Sequence, residues 1–133
     1  MNKDWVERDR IIFGSCDPDK YFGGVRSFTA SKELIVKLLE NDFIVRTSVQ
    51  NYSPAAEVFV RIAEILENSD VSFMCYAISG DRPDYGVIIE GIDVVIPDNE
   101  YDDINIAVET FRKADEFSFE HVECAFHLRA WWD

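Results

Sequence analysis

Basic side chains are scarce: 13 lysines and arginines stand against 26 aspartates and glutamates in 133 residues, a formal charge of −13. That balance repels phosphate backbones and anionic lipid within a Debye length, which argues against direct nucleic-acid binding and membrane-surface binding. Long apolar runs are also missing. No stretch approaches the ~18 apolar residues of a membrane span. The first ten residues include Lys3, Asp4, Glu7, Arg8, Asp9 and Arg10 and hold no apolar segment of the signal-peptide kind. Cysteine is sparse and odd in number: Cys16, Cys75 and Cys124 cannot complete a disulfide framework, and no CxxC pair suggests zinc. A reducing, cytoplasmic location is expected. Glycine and proline, six and four in number, form no linker, and no low-complexity tract or repeat divides the chain, so residues 1–133 are expected to form a single domain.

Apolar and aromatic side chains are plentiful, at 47% and 14%. That supply excludes disorder, and a chain of this length can bury roughly two thirds of its unfolded surface without staples. The acid excess is uneven. Residues 1–70 hold 9 basic and 12 acidic side chains, and residues 71–133 hold 4 and 14, so the second half carries a net of −10 against −3 for the first.

Apolar spacing predicts the elements. Residues 10–14 read as a short strand and residues 25–28 as another, separated by turn signals at Asp17-Pro18 and Gly23-Gly24. Ser31 is a candidate N-cap for a helix with Leu34, Ile35, Leu38 and Leu39 on one face, ending near Asn41. A second helix is expected from Ser53 as N-cap and Pro54 as first residue, with Val58, Phe59, Ile62, Ile65 and Leu66 in a stripe, ending at Asn68 or Ser69. From Val71 the period becomes two, as in a central strand covered on both faces. A breaker-rich turn over residues 80–84 returns the chain as a strand over 85–96, with Gly91 marking a bulge and Pro97 the end. Asp102 can cap a third helix with Ile104, Ala107, Val108 and Phe111 buried. Residues 120–132 alternate as one final strand. The expected fold is α+β: a mainly antiparallel sheet of four to five strands with about three helices on one face.

No motif fixes a reaction. If the final strand has one open face, His121, Glu123, His127, Arg129 and Trp131 lie along it in a row. Residues two apart on a strand are separated by ~6.5 to 7 Å, which puts His121 and His127 too far apart for one metal ion. Were the segment helical, His121, Cys124 and His127 would converge as an open zinc site, but the alternation argues for a strand. These side chains either solvate the sheet or bind something, and a tryptophan among His, Arg and Glu has the composition of a binding hot spot. A second cluster, Asp98-Asn99-Glu100-Tyr101-Asp102-Asp103, fails as a calcium loop because Asp103 stands where an EF-hand needs glycine. Asp98, Glu100, Asp102 and Asp103 suit either a helix N-terminus or contact with a basic partner. Gly14-Ser15-Cys16 lacks the second glycine of a nucleophile elbow, although Cys16 is the best placed thiol for activation by a histidine. Catalytic residues, metal ligands and cofactors are therefore assigned to none.

In size, acidity and apparent α+β make-up the chain resembles small intracellular inhibitors, including immunity proteins that neutralise basic nuclease toxins. This likeness is compositional and carries over no individual residue. The expected function is a non-enzymatic binding or inhibitor protein docking a basic protein through its acidic C-terminal half. Two alternatives stay open: a small enzyme or ligand-binding domain using the polar face of the last strand, and a subunit that forms homo-oligomers through its sheet.

Overall fold

The computed structural model of the chain describes residues 3–49, 52–82 and 85–132. Pro83 and Asp84, part of the expected turn over 80–84, lie outside these residues. The elements run α1 (Lys3–Phe13), a 3-10 turn (Pro18–Lys20), β1 (Val25–Ser31), α2 (Lys32–Glu40), α3 (Ala56–Ile65), β2 (Asp70–Ile78), β3 (Val87–Pro97), α4 (Tyr101–Phe111), β4 (Glu116–Val122) and β5 (Ala125–Trp131). The five strands form one antiparallel sheet in the order β1-β2-β3-β5-β4. With four helices beside it, the class is α+β.

Helices and sheet meet in one apolar core. The inward residues of β2 and β3 are Phe73, Cys75 and Ala77 with Val87, Ile89, Ile92, Val94 and Ile96, all buried. Against them lie Ile35, Leu38 and Leu39 of α2, Phe59 and Ile62 of α3, and Ile104, Ala107 and Phe111 of α4. The centre is a group of rings in which Phe59 stacks on Phe111 at 5.7 Å and meets Trp132 edge-on at 5.5 Å. Aromatic pairs of this geometry add about 1 kcal/mol each beyond the area they bury.

Helix starts differ in how they satisfy their free N–H groups. At α2 the Ser31 hydroxyl accepts from the Leu34 N–H at 3.1 Å, a cap worth about 1 kcal/mol. For α3, Ser53 and Pro54 lie before the helix, whose N-cap is Ala55. No side-chain cap is needed there, because the Ala56 and Glu57 N–H groups donate to the Ser48 and Arg46 carbonyls of the preceding loop. The α4 N-cap is Glu100, two residues earlier than the expected Asp102.

Two expected elements are corrected. Residues 10–14 belong to a helix, α1, closed by Gly14 at φ +81°. Its inward face is Trp5, Arg8, Asp9 and Ile12, and the two charged members conceal the helical period. Arg8 and Asp9 are fully buried. The Arg8 guanidinium donates to Asp9 Oδ1 at 2.9 Å, to the Ile78 carbonyl at 2.6 Å and to the Gly86 carbonyl at 3.2 Å. Tyr21 donates its hydroxyl to the Asp9 carboxylate at 2.6 Å. The group is thus satisfied internally and fastens α1 to the ends of β2 and β3.

The second correction concerns residues 120–132, which are two strands. Glu123 and Cys124 form a two-residue loop, with Glu123 at φ +56°, and Val122 pairs with Ala125. Since 122 and 125 share a face, the loop exchanges odd and even positions. Even residues of β4 face away from the helices, whereas in β5 the odd ones do.

β2 is interior as expected, although the middle strand is β3. It is covered by helices on one face alone. On the other, Met74 and Tyr76 are half-buried among neighbouring strands' side chains. The bulge at Gly91 is present: Met74 pairs with Gly91 and Cys75 with Ile89, leaving Glu90 as the extra residue of β3.

Candidate functional site

The sheet face turned away from the helices is organised by its register into rows. One row runs Thr29, Met74, Gly91, Trp131, Glu116 across all five strands. The next holds Ser72, Asp93, Arg129 and Ser118, and a third holds Asp70, Val95, His127 and Glu120. His127, Arg129 and Trp131 therefore share this open face, with carboxylates on the strands to either side.

Gly91 lets the Met74 side chain cross the middle of the first row. A Cβ there would sit 2.7 Å from the Ala130 carbonyl oxygen and collide with the Met74 methyl, which fills that space. Beside it lies a depression of about 370 Å³ whose walls include Ser27, Thr29, Met74, Glu90, Arg129 and Trp131. Within it Arg129 is engaged, its Nε 3.5 Å from Asp93 Oδ1 and its Nη2 3.3 Å from Met74 Sδ. Glu90 has neither an ion pair nor a side-chain hydrogen bond among the described residues. Its charge is felt by Cys75, whose thiol is pushed well above its usual range first by burial and then by this carboxylate. Trp131 Nε1 is shielded from water and meets no acceptor among the described residues.

The other candidates lie elsewhere. His121 is on the helix side of β4, where its ring stacks on Phe126 at 4.5 Å and Nε2 lies 3.5 Å from Asp98 Oδ2. Glu123 is at the tip of the β4–β5 loop, tied to the same end by the Asp98 N–H, which donates to the Cys124 carbonyl at 3.2 Å. Glu100 accepts from Asn68 Nδ2 at 3.3 Å, and Asp102 and Asp103 occupy the first turn of α4, where the helix dipole favours negative charge. His121, Glu123, Asp98, Glu100, Asp102 and Asp103 thus gather around the β4–β5 tip and the α4 start, apart from His127, Arg129 and Trp131. Much of the acid of the C-terminal half lies in these two places.

No histidine is near Cys16. That thiol lies beside Asp9, and burial followed by the Asp9 charge raises its pKa. Arg8 and Asp9 hold the Gly86 end of β3, whereas His127 pairs with Val95, roughly 25 Å further along at a rise of about 3.3 Å per residue. Among the described residues no three His, Cys, Asp or Glu side chains are grouped as metal ligands, and no helix is long and apolar enough to cross a membrane.

The residues that sequence reading missed on the open face are Met74, Glu90, Asp93, Glu116 and Glu120. Their signal was present in the alternation of three strands, but it could be read only with the register. No protein-family model, curated protein or solved structure matches the chain.

Proposed function

We propose that this chain is a non-enzymatic binding protein of the inhibitor type, docking a basic partner on the open face of β3, β5 and β4. One observation carries the reading: Trp131 and Met74 stand at the centre of a face without helices, and Glu90, Asp93, Glu116 and Glu120 surround them while Arg129 is tied to Asp93. An aromatic anchor ringed by an excess of negative charge is the anatomy of an interface in which apolar burial gives affinity and electrostatics give speed and selectivity. On this reading the acidic docking expected of the whole C-terminal half is confined to one face. The α4 cluster is left to helix capping and to the His121–Asp98 pair, an exposed contact that contributes at most about 1 kcal/mol.

The test is association of the full chain with the basic protein it recovers from its native cells, measured at low and high salt. The association rate is expected to fall as salt rises. The double variant Glu116→Lys with Glu120→Lys should bind about tenfold more weakly or worse, whereas Asp102→Lys should bind as the parent does. Recovery of nothing basic, or binding indifferent to salt and to both variants, overturns the proposal. A second reading, a small-ligand site on the same face, is favoured by the depression at Gly91. It requires a ligand that competes with the partner.

A further inference from the structure

The depression beside Gly91 sets an unpaired carboxylate next to an indole ring. Glu90 is half-buried there and has no side-chain partner among the described residues, while the resident cation, Arg129, is held by Asp93 and Met74. The apolar lining comes from the Met74 side chain and the Trp131 ring. A ligand complementary to this set carries a cation for Glu90 and an apolar stem for Met74 and the Trp131 ring.

We propose that the depression receives an arginine side chain of the basic partner, with the guanidinium on Glu90 and its stem along Met74 and the Trp131 ring. This rests on the docking reading above and names its anchor. Arginine fits better than lysine for two reasons. Its planar cation can lie on an indole face while presenting paired N–H groups to a carboxylate, and it gives up water more easily than an ammonium. The volume, about 370 Å³, is near the lower end of ligand cavities and suits a single long side chain.

The experiment uses the full-length chain labelled with nitrogen-15 and follows its indole N–H resonances during titration with N-acetyl-arginine amide. One resonance, identified by its loss in Trp131→Phe, is expected to shift saturably. Glu90→Gln should weaken that binding about tenfold or more. The uncharged analogue N-acetyl-citrulline amide should leave the resonance in place. No saturable shift, an equal response to citrulline, or an unchanged response in Glu90→Gln overturns the assignment. The two readings fail separately. A basic partner that binds Glu90→Gln as well as the parent overturns the arginine subsite and leaves the docking face standing. Saturable arginine binding in a chain that recovers no basic partner overturns the docking face instead.

Discussion

Arg8 and Asp9 show how a buried pair of charges can be tolerated. Each would be costly alone, but the guanidinium spends its N–H groups on Asp9, two main-chain carbonyls and Tyr21, and it lies beside the rings of Trp5 and Tyr21 at 5.6 and 5.9 Å. Tyr21 completes the set, and its phenol is pushed above the ordinary value of 10.0, first by burial and then by its hydrogen bond to Asp9. The folded chain therefore keeps this proton to higher pH than the unfolded chain. The stability it contributes is complete below about pH 10 and is lost as pH rises beyond it. In urea unfolding followed from about pH 8 to about pH 11, the parent should lose stability more steeply above pH 10 than Tyr21→Phe. At neutral pH the variant should be less stable by about 1 kcal/mol. Parallel curves through the alkaline range would show that Tyr21 ionises equally easily in both states. The same pair explains why α1 was read as a strand. Charged residues at two of its four inward positions erase the helical period and leave Ile11-Ile12-Phe13 as the visible apolar feature.

Elements whose inward residues are apolar were legible, including the Ser31 cap, the stripe of α2, the Phe59 and Ile62 part of the α3 stripe, and the alternation of β2. Ile65, expected in the α3 stripe, is exposed, and the helix stops there instead of at Asn68 or Ser69. The pairing of β2 with β3 was also legible, as was the Gly91 bulge. The β4–β5 loop was not. It turns at Glu123-Cys124, without the Asn-Gly or Asp-Gly that normally marks a left-handed turn, and its flanks continue an unbroken alternation. That one hidden turn decides the candidate site, since it sends His121 to the helix side and brings Glu116 and Glu120 to the open face. The adjacent tryptophans follow from strand alternation alone, with Trp132 in the core and Trp131 on the opposite side. Gly91 holds the same region together. Gly91→Ala should cost about 3 kcal/mol in urea unfolding, because the new methyl meets the Ala130 carbonyl oxygen, which belongs to the paired strand's backbone and cannot swing aside. An alanine variant as stable as the parent would mean that β3 and β5 can separate there without loss.

At the level of the whole molecule, two groups of acids in the C-terminal half face different ways. Asp98, Glu100, Asp102 and Asp103 attend the start of α4, where a helix dipole, Asn68 and His121 give them ordinary employment. Glu90, Glu116 and Glu120 lie on the open sheet face and have no ion pairs among the described residues. A sheet covered on one side normally shows polar residues on the other. Here that other side carries Met74, Tyr76 and Trp131 as well, and the combination of apolar centre and unpaired acid is what supports a docking function. The count of 26 acidic residues alone would not distinguish such a surface from a device for solubility.

Amide chemical-shift mapping of the full chain with a short arginine-rich peptide tests this most directly. Shifts are expected to concentrate on β3, β5 and β4 around Glu90, Arg129, Trp131, Glu116 and Glu120, and to fade as salt rises. Shifts centred on Asp98, Asp102 and Asp103 at the start of α4, or spread evenly over the acidic surface, would contradict it.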